Sequence, residues 1–280
     1  MRKLCVMSML GLVFSALFST ASLAALKIEV SSTPPLPAEN FIPNSNFENN
    51  MQSWTMLGKP EDMASEGWKV EPASNAYQGK KNALYIKVER KANSRTRGAY
   101  QSLSTLFIAG KLVPGKSYVL SCRVNAGKSV KGGGNLGGAG VILSVASADW
   151  KQMATIYART DSTNDKWIKL VSQPLKWPEW GVAGMVVPSI SYTEGEAYIS
   201  DICLSEAYVD LSVKVRGGVI SQVLVADETG KTVFDSGSLP GGTKDFSKSI
   251  SVLSVYKYKV TALDNEGNIC EQEYPAGSSK

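Results

Sequence analysis

Apolar residues recur at every second position through most of the chain, and no long segment carries the 3.6-residue stripe of an amphipathic helix. Leu84, Ile86 and Val88 alternate with Tyr85, Lys87 and Glu89; Tyr118, Leu120, Cys122 and Val124 alternate with Val119, Ser121 and Arg123. Val141, Leu143 and Val145 repeat the pattern, as do Tyr198, Ser200, Ile202 and Leu204. Successive side chains of a strand point to opposite faces, so each run offers one face to a core and one to solvent. Short runs of β-branched and aromatic residues between turn residues define an all-β chain, most simply a two-sheet sandwich.

The first residues stand outside this pattern. Arg2 and Lys3 precede an apolar run from Leu4 to Phe18, and Ser22-Leu23-Ala24 supplies small residues for a signal peptidase. Residues 1–24 therefore read as a secretory signal peptide, its apolar run short for a membrane span. Cleavage after Ala24 predicts an exported protein, bound for periplasm, cell surface or medium, with no membrane span remaining. It leaves about 256 of the 280 residues, enough for one large or two ordinary domains. Residues 25–40 form an extended lead-in: Leu26 to Val30 adds one strand, and Pro34, Pro35 and Pro37 bar a helix.

Charge and residue absences narrow the function classes. Formal net charge is +5, and about +3 without Arg2 and Lys3, too mild to mark a nucleic-acid partner. The chain has no histidine, which removes the commonest general base, Ser-His and Cys-His nucleophiles and His-ligated metals. Carboxylate-pair glycoside hydrolysis survives that exclusion. Cys122, Cys203 and Cys270 follow the leader, none in a C-x-x-C pair; they form either a Cys122–Cys203 bridge with one thiol over, or three packed thiols. The stretch GGGNLGGAG, Gly132 to Gly140, opens on G-x-G-x-x-G after a predicted strand. A second strand follows it, Val141 to Val145, where a phosphate-binding loop needs a helix N-terminus, so it reads as a strand-to-strand loop.

Four segments carry a further signal. Ile42-Pro43-Asn44-Ser45-Asn46-Phe47-Glu48 is followed by Ser53-Trp54; Leu112 to Ser121 reads LVPGKSYVLS; Asp165-Lys166-Trp167 precedes a strand; Ala197 to Leu204 reads AYISDICL. In this order they resemble the jelly-roll carbohydrate-binding modules of the family 4, 9 and 22 type, which belong to the galactose-binding-like sandwiches. The resemblance spans about Phe41 to Glu206. It implies a module at 41–206 that binds glycans without catalysis. It also implies a structural calcium held by Glu48 and Asp201, although the first of the family's two closing aspartates is Ser200 here. The plainer alternative is that Glu48 and Asp201 only hydrogen-bond loop backbone.

A pyranose presents an apolar C–H face and a rim of hydroxyls, met by aromatic rings and by amides, carboxylates and guanidinium groups. Trp68, Tyr77, Trp150, Trp177 and Trp180 are the aromatic candidates for ligand binding, and Arg97 and Gln101 the polar ones. Trp177 and Trp180 rank high because they share a turn-like segment, KWPEWG. Trp54 and Trp167 sit at family core positions, and Tyr118 and Tyr198 alternate with apolar residues, so these four are assigned to the core.

After Glu206 short strands resume, with turns at Asp227-Glu228-Thr229-Gly230 and Asp264-Asn265-Glu266-Gly267. Residues 210–275 read as a smaller immunoglobulin-like or fibronectin-like β-sandwich, a spacer or docking module. The whole predicts an exported, non-catalytic binder of a poly- or oligosaccharide, free-standing or part of a larger polysaccharide-processing assembly. The rivals are a structural or adhesive surface protein using the sandwich for protein contacts, and a small glycoside hydrolase or lyase.

Overall fold

The structure, a computed structural model, describes residues 25–77, 81–89, 96–104, 106, 109–131 and 137–275. The leader read at 1–24 lies outside the described residues, as do 132–136 of the glycine stretch. Strands dominate. In chain order they begin β1 (Lys27–Thr33), β2 (Thr55–Met56), β3 (Trp68–Tyr77), β4 (Lys81–Val88), β5 (Thr96–Ser102) and β6 (Ser117–Ala126). They continue β7 (Gly138–Ala146), β8 (Met153–Thr160), β9 (Ile168–Val171), β10 (Leu175–Lys176), β11 (Ala183–Ser191) and β12 (Gly195–Glu206). The last are β13 (Tyr208–Arg216), β14 (Ile220–Asp227), β15 (Thr232–Asp235), β16 (Asp245–Leu253), β17 (Tyr258–Asp264) and β18 (Ile269–Tyr274). A short helix, α1 (Pro60–Ser65), starts on a proline and carries Glu61 and Asp62 in its first turn, where the helix dipole favours them.

The first sandwich is a jelly roll of two antiparallel sheets. Its front sheet runs β10-β6-β12-β4-β3, with β9 also paired to β6; its back sheet runs β2-β5-β11-β7-β8. Between them pack the inward halves of the alternating runs: Leu84 and Ile86, Tyr118, Leu120 and Val124, Val141, Leu143 and Val145. A second sandwich follows, β1-β13-β16 against β15-β14-β17-β18, around Leu211, Val213, Val223, Val225, Tyr258 and Val260. The lead-in strand belongs to this second unit: β1 pairs antiparallel with β13 from Lys27↔Arg216 to Thr33↔Asp210. The chain thus begins in the second sandwich, leaves to build the first, and returns. Asn40 ties the crossing to β12, donating from Nδ2 to the Ile202 carbonyl at 2.8 Å and accepting from Leu204 N–H at 3.1 Å.

The alternation fails in β12. Ile199, Ile202 and Leu204 are all fully buried, so the phase slips by one residue between Ser200 and Cys203. A β-bulge there, with Asp201 at φ +48, absorbs the extra residue. Tyr198, assigned above to the core with Ile202 and Leu204, accordingly points outward and is half-buried. The bulge also separates the cysteines: Cys122 is buried in the first core while Cys203 lines a cleft on the outer face, and both are free, as is Cys270. Burial pushes the Cys122 thiol up to about 12. Among the described residues no helix is long and apolar enough to cross a membrane.

Candidate ligand face

The outer face of the front sheet is where polar and aromatic side chains gather. At its centre Tyr85 of β4 and Tyr198 of β12 stand opposite each other in register, ring centroids 4.8 Å apart and planes tilted 37°. Alternation puts them there: Leu84 and Ile86, and Ala197 and Ile199, turn inward, so the tyrosines turn out. Tyr85 Oη donates to Glu196 Oε2 at 2.7 Å, and burial followed by that carboxylate raises its phenol pKa above the ordinary value. Lys69 Nζ lies 5.0 Å over the Tyr85 ring and pairs with Glu71 at 2.9 Å. Asn125 of β6, across from Tyr198, donates to the Asp165 carbonyl at 3.1 Å.

An arch crosses this face. Tyr77 ends β3 at one edge of the sheet and Trp167 precedes β9 at the other, with β4, β12 and β6 between them. Four strand spacings put those backbones about 19 Å apart. Yet the two rings lie 4.6 Å apart, so the end of β3 and the residue preceding β9 reach toward each other over the sheet. Lys81 Nζ sits 5.8 Å from the Tyr77 ring and 3.3 Å from the Asp201 carboxylate beneath.

The second sandwich closes one end. A cleft of about 460 Å³ lies between the units, lined by Arg123, Lys169, Asp201 and Cys203 from the first and Glu228 and Tyr256 from the second. Lys169 spans it, pairing with Glu228, donating to the Val255 carbonyl and lying 5.1 Å over the Tyr256 ring. Ser254 of the second unit hydrogen-bonds Ser205 at 3.1 Å and, through its N–H, the Ala207 carbonyl at 2.9 Å. The face is a trough with one walled end.

Of the ligand-binding candidates named from sequence, this face holds Tyr77, but its ring is buried against Trp167. Trp177 is corrected to the core: it is 1% exposed, donates Nε1 to the Gly181 carbonyl at 2.7 Å and packs edge-on to Tyr118. Gln101 is also turned inward, buried and donating to the Ser53 carbonyl at 3.1 Å. Arg97 is buried in an ion pair with Glu66 at 2.6 Å, its guanidinium 5.1 Å over Trp68, and neither offers a free face. Trp68, 4% exposed, lines a separate hollow of about 360 Å³ with Met56 and Met63. Trp180 packs partly against the core, and Trp150, 45% exposed, tips the β7–β8 turn of the back sheet. Sequence reading passed over Tyr85, Tyr198, Trp167 and Arg123. Tyr85 had a readable signal, being the outward aromatic of a clean alternation, whereas the bulge hid Tyr198.

The two carboxylates implied for calcium both have partners within the chain. The Asp201 carboxylate is bridged by the Lys81 ammonium at 3.3 and 3.4 Å, and Glu48 accepts from Asn46 Nδ2 at 2.8 Å. Calcium takes six to eight oxygens, and an ammonium at one of two proposed carboxylates repels a divalent ion. Among the described residues no three of His, Cys, Asp or Glu gather to hold a metal.

No family model matches the chain, and no curated protein matches it. Solved structures do. The CBM22-1 xylan-binding domain from Paenibacillus barcinonensis Xyn10C is 18% identical, with a TM-score of 0.43 over 60% of this chain and 95% of that one. A family 16 carbohydrate-binding module is 18% identical, with a TM-score of 0.40 over 60% of this chain and all of that one. The N-terminal CBM22-1-CBM22-2 tandem of the same Paenibacillus protein is 13% identical, with a TM-score of 0.42 over 84% and 88% of the two chains.

Proposed function

We propose that the protein is an exported, non-catalytic carbohydrate-binding protein whose trough on the front sheet holds a poly- or oligosaccharide. The observation that carries this reading is the Tyr85–Tyr198 pair, two half-buried rings in register at the centre of an otherwise polar sheet face. Such rings cover the apolar face of a pyranose at small entropic cost, while Glu71, Glu196 and Asn125 meet its hydroxyls. The Tyr77–Trp167 arch limits how a chain enters. The segment at 41–206 acts as the sugar module, and the second sandwich as an immunoglobulin-like spacer that fixes one wall, suiting a free-standing binder or a subunit of a polysaccharide-processing assembly.

A glycan array on the full chain after leader removal tests this, followed by titration calorimetry with Tyr85→Ala and Tyr198→Ala. Each variant is expected to weaken binding at least tenfold, about 1.4 kcal/mol, with no product released from any glycan. Wild-type affinity in both variants rejects this face as the site, and turnover rejects the non-catalytic reading.

A second reading, an adhesive role through protein contacts, draws on the back sheet. There Trp150, Met153 and Val182 are 45%, 55% and 38% exposed around one hairpin end. It predicts that Trp150→Ala, and not Tyr85→Ala, abolishes the protein's interactions.

A further inference from the structure

We propose that the walled end of the trough is a subsite for an anionic sugar residue, one carrying a carboxylate or a sulfate ester, held by Arg123. The inference rests on the glycan-binding reading and names the class of glycan. Arg123 projects from β6 onto the outer face beside Ser200 of β12, half-buried, and lines the cleft between the sandwiches. Among the described residues no carboxylate lies within 4.0 Å of its guanidinium, and no protein acceptor is hydrogen-bonded to it.

The neighbouring charges are already matched. Lys169 is paired with Glu228, and Asp201 with Lys81. Of the charged groups lining the cleft, Arg123 and the exposed Lys257 are therefore left without a counter-charge. Two uncompensated cations, one of them half-desolvated, favour an anion over a neutral hydroxyl rim. A guanidinium presents its donors as a planar fork, which matches a carboxylate or sulfate with two parallel hydrogen bonds.

Position agrees with chemistry. Arg123 lies two residues along β6 from Asn125, which faces Tyr198, a step of about 6.8 Å. Ser200, in register with Arg123, is fully buried, and the cleft that Arg123 lines includes neither tyrosine, so the Tyr77–Trp167 arch stands between the tyrosine pair and the anion subsite, which is entered from the cleft. Beyond it the Ser205–Ser254 contact shuts the trough, so the anionic residue is the last of the bound stretch.

The test is calorimetry on the full chain after leader removal with three sets of hexasaccharides: neutral xylo- and galacto-oligosaccharides, oligouronates, and sulfated galacto-oligosaccharides. One anionic set is expected to bind at least tenfold tighter than every neutral one, less so as salt rises, and the tighter set identifies the acid group. Arg123→Gln should erase that preference while leaving neutral binding and thermal stability in place. Arg123→Lys should restore a smaller, more salt-sensitive preference. Equal binding of neutral and anionic sugars, or a preference that survives Arg123→Gln, overturns the subsite and leaves the glycan reading standing. Failure of the folded wild type to bind any of the three sets, and any glycan on the array, overturns both.

Discussion

Two side chains show how the same residue type serves opposite ends of this molecule. Tyr118 is fully buried and donates its hydroxyl inward to the Lys111 carbonyl, whereas Tyr85, on a neighbouring part of the same sheet, presents a half-open ring to solvent. If the ring and not the hydroxyl of Tyr85 does the binding, Tyr85→Phe should retain affinity within about threefold where Tyr85→Ala loses at least tenfold, by calorimetry with the best glycan from the array. Cys122 makes a prediction of another kind. An unfolded thiol ionises near 9.0, while burial holds the folded one neutral to about 12. Between those values the folded state binds the extra proton, so Cys122 contributes stability that is fully present below pH 9 and declines as pH rises toward 12. Urea melts at pH 7 to 11 should show the stability of Cys122→Ala falling less steeply above pH 9 than that of the wild type. The same thiol should stay unreactive to thiol reagents at pH 8 until denaturant is added.

At the scale of elements, the bulge in β12 decides most of what the face can do. It turns Asp201 outward to meet Lys81, and that ion pair stands where the family resemblance implied a divalent ion. Thermal midpoint and glycan affinity are therefore expected to be unchanged by a chelator or by added calcium; a stabilisation by calcium of several degrees contradicts the Lys81–Asp201 assignment. The strands β4, β6 and β7 were legible because their alternation is unbroken, and it correctly located Leu84, Leu120 and Leu143 in the core. Tyr198 was not legible: a single inserted residue reverses every face beyond it, and Ser200-Asp201-Ile202 carries no glycine to announce the bulge. Trp177 was misjudged for a related reason. Its turn-like segment suggested exposure, but the ring folds back beneath the sandwich edge and hydrogen-bonds Gly181. The Tyr77–Trp167 arch depends on three intervening strands, information that no local pattern holds.

At the scale of the whole molecule, the second sandwich is built from two separated pieces of chain, β1 and β13 to β18. Its first sheet loses an edge strand without β1, and Ile28 and Val30 no longer pack on Val213 and its neighbours. A chain starting at Pro34 should therefore, compared with one starting at Ala25, lower a calorimetric transition belonging to the second sandwich while leaving that of the first within a few degrees. A single transition shifted as one shows the two units unfolding together. The same arrangement places Ser32 and Tyr274 in hydrogen-bond contact at 3.1 Å, with the jelly roll looped out between them. Tension applied across the two outer strands is borne first by the hydrogen-bonded ladder from Lys27 to Thr33. Until that ladder shears, the jelly roll hangs beside the line of force like a pulley block beside a taut rope, and its outer face keeps its shape under load.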